Sequence, residues 1–368
     1  MTVLTLRAAD RPERLRGLVS GLLALGIAVV VVLAIVGALL VAVDVDPLLA
    51  AQALWNGAFG TTRSVGETLV RATPLLLIAI TLIPSLRAGL YNIGAPGQMG
   101  FGALAATVIA LQGAALPSVV LVPLCAIGGC VAGMAAAFVP GVLKAKFHAN
   151  EIITTLAVNF IAVAVLGYLL NGALQSDFAN LPQSDTLPES SGLPILLTDT
   201  RAHLGLLLAL LAVPMLWAAD RSRVGYRLRV FGANASLAKQ AGVRPARYTI
   251  GLMTLGGAGA GLAGWMQVAA LDHRLYPGVA DPVGYAGLFV ALLGALHPLG
   301  TLIAAVALGA LLHGGDSLQV GAGVTPEIVQ VLLGLILLAY AVRATRSAAT
   351  ARATKRKEGR SWTFSKRS

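Results

Sequence analysis

Apolar runs near membrane-spanning length recur along the chain from Gly17 to Val342, separated by short polar segments. A helix rises ~1.5 Å per residue, so about 20 apolar residues cross the hydrocarbon core of a bilayer. The pattern predicts an all-α polytopic membrane protein with about ten transmembrane helices. The predicted spans lie near 17–43, 67–86, 88–112, 116–141, 151–171, 203–219, 249–270, 283–296, 299–313 and 326–342. The count is even because both basic tails must lie on one side. The eighth and ninth runs are short enough to be half-spans. The first run is too long for a signal peptide and lacks a small-residue cleavage pattern, so it reads as a span.

The third run is broken. It contains YNIGAPGQMGFG (91–102), in which Gly94, Pro96, Gly97 and Gly100 interrupt a helix between apolar flanks. Such a break leaves backbone polar groups that hydrocarbon cannot satisfy. In a membrane it is tolerated where protein wraps it or where it lines a watery cavity. A second glycine-rich stretch, GGAGAGLAG (256–264), spaces small residues so that helix backbones can approach closely, which predicts a centrally packed span. Pro74, Pro84, Pro123 and Pro214 lie in or near spans and should kink them.

Composition agrees with this picture. The 368 residues are 57% hydrophobic and 12% charged, against about a quarter charged in soluble domains. The net charge of +11 would suggest nucleic acid if it were spread over one face. Instead, 23 of the 27 basic residues fall on the predicted inner segments, and most acidic residues fall on the outer ones. This positive-inside asymmetry puts both the N- and C-termini in the cytoplasm of a multi-pass protein of the cytoplasmic (inner) membrane. Residues 1–16 form a cytoplasmic N-terminal segment, and residues 17–343 the transmembrane domain. Residues 344–368 form a basic, disordered tail suited to anionic lipid, with no nucleic-acid partner. The outer loop 172–202 is long and rich in Pro and Ser, so it should fold over the outer mouth or meet an external partner.

Candidate chemistry is sparse. The chain has no Gly-rich loop ending in Lys-Ser/Thr, and no His-Glu-x-x-His, Cys-x-x-Cys or Gly-x-Ser-x-Gly motif. The reading is therefore of a protein without catalytic residues, metal ligands or a bound cofactor. Cys125 and Cys130 read as small core residues. Glu67 and Arg71 should pair near the outer end of the second span. The deep polar groups are neutral: Asn92, Gln98, Gln112, Thr154, Thr155 and Asn159. A pathway lined this way suits a polar, uncharged solute and an energy source outside the membrane, because ion-coupled carriers bury carboxylates or histidines. Each amide could equally well bond a neighbouring helix.

Two inner loops are shaped for a partner. KAKFHANEIITT (144–155) is a basic turn ending at Glu151, where the fifth span opens. In GYRLRVFGANASLAKQAGVRPARY (225–248), Asn234 can cap a short helix and Gly242 can end it in the left-handed conformation. A helix that short is marginal in water and needs a docking surface.

Four blocks carry a family resemblance, and they occur in the family's order. ETLVRATPLLLIAITLIPSLRAGLYNIGAPGQMGFGAL (67–104), FHANEIITTLAVNFIA (147–162), GYRLRVFGANASLAKQAGV (225–243) and GLFVALLGALHPLG (287–300) resemble permease subunits of ABC importers. The resemblance is to the branched-chain amino acid, ribose and nucleoside type, nearest the larger permease of a nucleoside system. It implies import of nucleosides by alternating access, with a sugar such as ribose or galactose as the rival cargo. It also implies an ATP-binding subunit that holds ATP and Mg, a second permease subunit and an extracytoplasmic substrate-binding lipoprotein. The permease pair would be a heterodimer, with a homodimer as the alternative. On this reading Asn92, Gln98, Phe101, Asn159, Phe160 and Phe289 line the substrate pathway. Glu151, Gly232, Asn234, Ala238 and Gly242 belong to the segments that couple to the ATPase, through short cytoplasmic helices. Two positions depart from the family: Pro96 stands where an acidic residue is common, and His297-Pro298 where Asn-Pro is usual. The competing class is a stand-alone carrier or channel, which the lack of buried ionisable residues disfavours.

Overall fold

A computed structural model describes residues 45–322, apart from 178–179, 197–198 and 241, and a few isolated positions outside that range. The first and last predicted spans (17–43 and 326–342) and the tails 1–16 and 344–368 lie outside the described residues, those isolated positions aside. The chain divides into two compact units, one of Met1–Leu54 with Gly315–Ser368 and the other of Trp55–Gly314. The second unit carries the features described below.

The described residues are helical, with one isolated bridge, Ile195 to His203, and no strand among them. In chain order the helices are α1 (Pro47–Phe59), α2 (Thr62–Arg87), α3 (Ala95–Gln112), α4 (Ser118–Phe147) and α5 (Glu151–Leu170). They continue with α6 (Gly205–Arg221), α7 (Arg223–Ala233), α8 (Ala235–Gln240), α9 (Pro245–Met266), α10 (Val283–Leu293) and α11 (Pro298–Ala322). A π-helical turn, Gln267–Asp272, extends α9. Among the described residues α2, α4, α5 and α11 are each long and apolar enough to cross a membrane. The pair α6 and α7, bent by 74°, would make a fifth span.

α3 and α9 fall short of that apolarity for a structural reason. Both are wrapped by protein, so their surfaces need to be small rather than oily. A β-carbon on Gly257 would collide with the Gly133 carbonyl oxygen of α4, and one on Gly261 with that of Gly129. A β-carbon on Gly264 would meet the Met99 carbonyl of α3, and one on Gly102 would meet Gly261. The stretch 256–264 is thus the central seam of the bundle, where α9 lies against both α3 and α4. α2 packs on the same helix through Leu82 beside Gly256 and Thr81 beside Gly259.

The helices differ in what their outer faces meet. α2 is buried nearly throughout, whereas α4 and α5 turn Val119, Ile127, Val131, Ile153, Phe160 and Tyr168 outward. These exposed apolar faces suit lipid or another membrane helix. α10 is short and covers part of the bundle's depth. Its Gly284 lies on Pro96, its Gly287 on Ile78, and the turn after it reaches Arg87 at the end of α2.

The interruption in the third predicted span is displaced from where the sequence pattern puts it. Pro96, Gly97 and Gly100 lie inside the continuous helix α3, and the non-helical segment is 88–94. Pro96 occupies the first turn, where its missing N–H costs nothing and its fixed φ favours a helix start. Gly97 serves a close approach, since a β-carbon there would meet the Val158 carbonyl and the Asn159 backbone of α5. Gly100 faces Ala162 and Leu166 at ordinary contact distance.

Candidate functional site

The start of α3 is held by side chains of α5, one of which α10 bonds in turn. Gly94 is the N-cap residue and offers no side chain to bond the first-turn N–H groups. Asn159 of α5 supplies that bond across the interface: its Oδ1 accepts from Gly97 N–H at 2.9 Å. The same amide donates through Nδ2 to the Ile93 carbonyl at 3.1 Å and to the Tyr285 hydroxyl of α10 at 3.2 Å. Thr155, one turn before Asn159, accepts from Ile93 N–H at 3.3 Å and donates to the Glu151 carbonyl at 2.7 Å. One asparagine therefore ties α3, α5, α10 and the 88–94 segment together.

Beside this clamp, Asn92 and Gln98 bond each other twice. Asn92 Nδ2 donates to Gln98 Oε1 at 3.0 Å, and Gln98 Nε2 donates to Asn92 Oδ1 at 2.9 Å. Asn92 Oδ1 also accepts from Gly94 N–H at 3.0 Å, an Asx turn that bends the chain into α3. Both amides are fully buried, and Asn92 lies against Gly256 of the central seam. In this conformation they face each other and the helix start, with their strongest groups satisfied. The other predicted pathway residues are spread out: Phe101 and Phe289 are half-buried, and Phe160 is 70% exposed on the outer face of α5.

The clamp yields a direct test. Asn159→Leu keeps the approximate volume and leaves the buried Gly97 N–H and Ile93 carbonyl without this partner. Each orphaned group costs ~1–3 kcal/mol, so purified protein should melt at a clearly lower temperature than wild type. An unchanged melting curve would mean that water or backbone movement replaces the amide.

The segment after α6 forms a second arrangement. α7 ends at Asn234, whose carbonyl accepts from Ala238 N–H at 3.0 Å, and α8 follows at once. Gly242 then turns the chain with φ +76°, the left-handed region that favours glycine. Ala238 is fully buried in an apolar cluster with Leu90, Phe231, Val243 and Met253. Gly232 lies flush on the end of α2, where a β-carbon would meet the Arg87 carbonyl. Of the positions that the family resemblance suggests for coupling, Ala238 and Gly232 thus face the bundle. Glu151 pairs with Lys144 at 2.7 Å across the turn joining α4 to α5, and Asn150 caps α5 by accepting from Ile152 N–H at 3.0 Å.

These features sit within a chain that matches known proteins over most of its length. The family described as "Branched-chain amino acid transport system / permease component" matches residues 64–341. The chain belongs to this permease family. It is a multi-pass membrane protein and a transport subunit, and the family is not one of enzymes. The permease is 35% identical to the glucose ABC transporter permease protein TsgB13 of Haloferax volcanii, over 84% of this chain and 84% of that one. It is 35% identical to the guanosine ABC transporter permease protein NupP of Bacillus subtilis, over 79% of this chain and 86% of that one. The nucleoside ABC transporter permease protein NupB of Lactococcus lactis is 29% identical, over 83% of this chain and 86% of its own length. No solved structure matches the permease.

At the opposite end of the permease, the loop 172–204 is folded down by hydrogen bonds. Ser184 exchanges bonds with Leu275, and Leu187 N–H donates to the His273 carbonyl at 2.8 Å. Arg201 grips the Glu67 carboxylate of α2 with two bonds, of 2.8 and 2.5 Å. Arg71, the partner that spacing suggests for Glu67, acts on it through its charge, while the bidentate contact comes from a residue 134 positions away. Nearby, burial pushes the Asp272 carboxyl above its usual range, although Gln267 and Tyr276 bond it. Burial and the adjacent Asp272 charge push the Tyr276 hydroxyl up to about 12. Among the described residues no group of three His, Cys, Asp or Glu side chains could hold a metal ion.

Sequence reasoning singled out the amides and missed Tyr285, Arg87 and Leu90. Tyr285, which bonds Asn159, gave no local signal, being one aromatic in a short apolar run. Arg87 and Leu90 lie between the second and third apolar runs or just inside the third, where a lone cation and a leucine look ordinary.

Proposed function

We propose that this chain is the transmembrane subunit of an ATP-driven importer and forms a translocation pathway for nucleosides by alternating access. The observation that carries the cargo is the likeness to guanosine and nucleoside permease proteins over 79% and 83% of the chain. The cytoplasmic α7–α8 segment, seated on the ends of α2 and α9, supports the energy source: a small, docked helical unit is suited to receive a push from an ATPase. ATP and Mg would belong to that partner, and this chain would bind no cofactor itself.

The assembly we propose has an ATP-binding subunit, a second permease subunit and an extracytoplasmic substrate-binding lipoprotein. The permeases would form a heterodimer, with a homodimer as the alternative. About ten spans, with both termini cytoplasmic, fit the basic inner segments. Within the pathway, we assign Asn92, Gln98 and Asn159 the task of holding the 88–94 connection and the start of α3, while the half-buried Phe101 and Phe289 offer ring faces to a base or a sugar, and the outward Phe160 is left to lipid or a neighbouring helix. Glu151, Gly232, Asn234, Ala238 and Gly242 shape the surface that meets the ATPase.

A second reading has a specific basis: the glucose permease protein is as similar as the guanosine one. Uptake of labelled guanosine, adenosine and uridine by cells with and without the gene separates the two. We expect ATP-dependent nucleoside uptake to fall to background on deletion, and excess glucose or ribose not to compete. Unchanged nucleoside uptake with lost sugar uptake would establish the sugar reading instead.

A further inference from the structure

Arg87 makes contacts that neither packing nor the pathway assignment uses. It is the last residue of α2, and its side chain is about a quarter exposed. Its Nε and one terminal nitrogen both donate to the Leu296 carbonyl, at 3.1 and 2.6 Å. The other terminal nitrogen donates to Asp220 at the end of α6, at 2.5 Å. Its own carbonyl supports Gly232 of α7. One residue thus touches the elbow between α6 and α7 with one hand and the turn between α10 and α11 with the other.

That second contact is unusual in its backbone. Ala295 and Leu296 have φ of +53° and +56°, left-handed values that side chains rarely adopt. Residues held in such conformations persist where their surroundings over-determine them. Here the Arg87 fork supplies two of the fixing bonds. At its other end, α10 meets the helix-start clamp through Gly284 on Pro96 and the Tyr285 hydroxyl on Asn159. A cleft of about 540 Å³ opens beside the ion pair, lined by Arg87, Asp220, Leu228 and Arg229.

We propose that Arg87 is a positioning residue that transmits movement of the α6–α7 elbow to α10, and so to the clamp at Asn159 and Pro96. The inference rests on the importer reading, because it needs a push delivered to α7 and α8. A pull on Asp220 or Gly232 would draw Arg87 away from Leu296 and release the left-handed turn. α10 is short and rigid, so the turn's displacement arrives at Tyr285 and Gly284.

The test compares transport with ATP hydrolysis in the complete transporter, reconstituted in vesicles. Arg87→Met keeps the side chain's bulk and removes every donor. It should lower substrate moved per ATP by about tenfold while hydrolysis continues. Arg87→Lys, which restores a charge and a donor, should recover part of that ratio. Asp220→Asn, which leaves the Leu296 bonds in place, should reduce the ratio by a smaller factor, about threefold. A wild-type ratio in Arg87→Met overturns the inference while the importer reading stands. If Arg87→Met fails to assemble, a wild-type ratio in Asp220→Asn overturns it equally. If the wild-type complex itself shows no ATP-dependent uptake, the importer reading falls and takes the inference with it.

Discussion

Replacing Gly261 with valine should remove the folded permease from the membrane. On one side of Gly261 the α4 backbone lies so close that a β-carbon would sit on the Gly129 carbonyl oxygen; on another, Gly102 of α3 is so near that a β-carbon on it would meet the Gly261 backbone. Valine adds three carbons where the first has no room. The helix cannot slide away, because Gly257 and Gly264 pin it to α4 and α3 a turn to either side. Separating three helices forfeits their packing, which is the main attraction between helices in lipid. We expect a loss of upwards of ~3 kcal/mol and little extractable monodisperse protein. Gly251→Ala is the matched control: it lies on the same helix, and nothing lies within 4 Å of its missing β-carbon. It should accumulate like wild type or slightly better, as alanine favours a helix by about 1 kcal/mol over glycine. Equal yields of the two variants would mean that the seam is not close-packed.

The second large effect is expected at Ala238. Its methyl group is fully buried among Leu90, Phe231, Val243 and Met253, which holds a six-residue helix too short to persist in water alone. Ala238→Glu would bring a carboxylate into that apolar cluster, and α8 would leave rather than bury an unpaired charge. The bundle seam lies elsewhere, so the protein should still reach the membrane at near-normal levels. Uptake should fall more than about tenfold if α8 transmits the ATPase's work. Ala238→Ser, which adds a small group with a local backbone partner, should lose far less. Full transport by the glutamate variant, with normal ATP hydrolysis, would remove α8 from the coupling path.

Both predictions depend on features that the sequence shows unequally. The glycine seam was legible as a pattern, because GGAGAGLAG announces close backbone approach whatever the partner. Which helices approach was not legible: Gly129 and Gly133 lie in the apolar run 116–141, whose pattern marks no face for packing. The short helix after Asn234 and its left-handed end at Gly242 were readable from capping chemistry. That Ala238 points into the bundle was not, since a six-residue helix carries too little periodicity to reveal its buried side. For the third span, the sequence pattern placed a break at Gly94, Pro96, Gly97 and Gly100. In the structure Pro96, Gly97 and Gly100 lie within one continuous helix, and Gly94 ends the non-helical connection 88–94 that precedes it.

Sequence by itself determined that the chain crosses a membrane repeatedly and how its basic and acidic residues divide between alternate connecting segments. These follow from transfer free energies and charge counts, which add up locally along a chain. The tertiary structure decided which polar groups find each other. Asn159 accepts from a helix-start N–H 62 positions earlier, and Arg87 bonds a carbonyl 209 positions later. A buried hydrogen bond is made or lost over a few tenths of an ångström, so its partner is set by how whole helices pack and not by any spacing in the sequence.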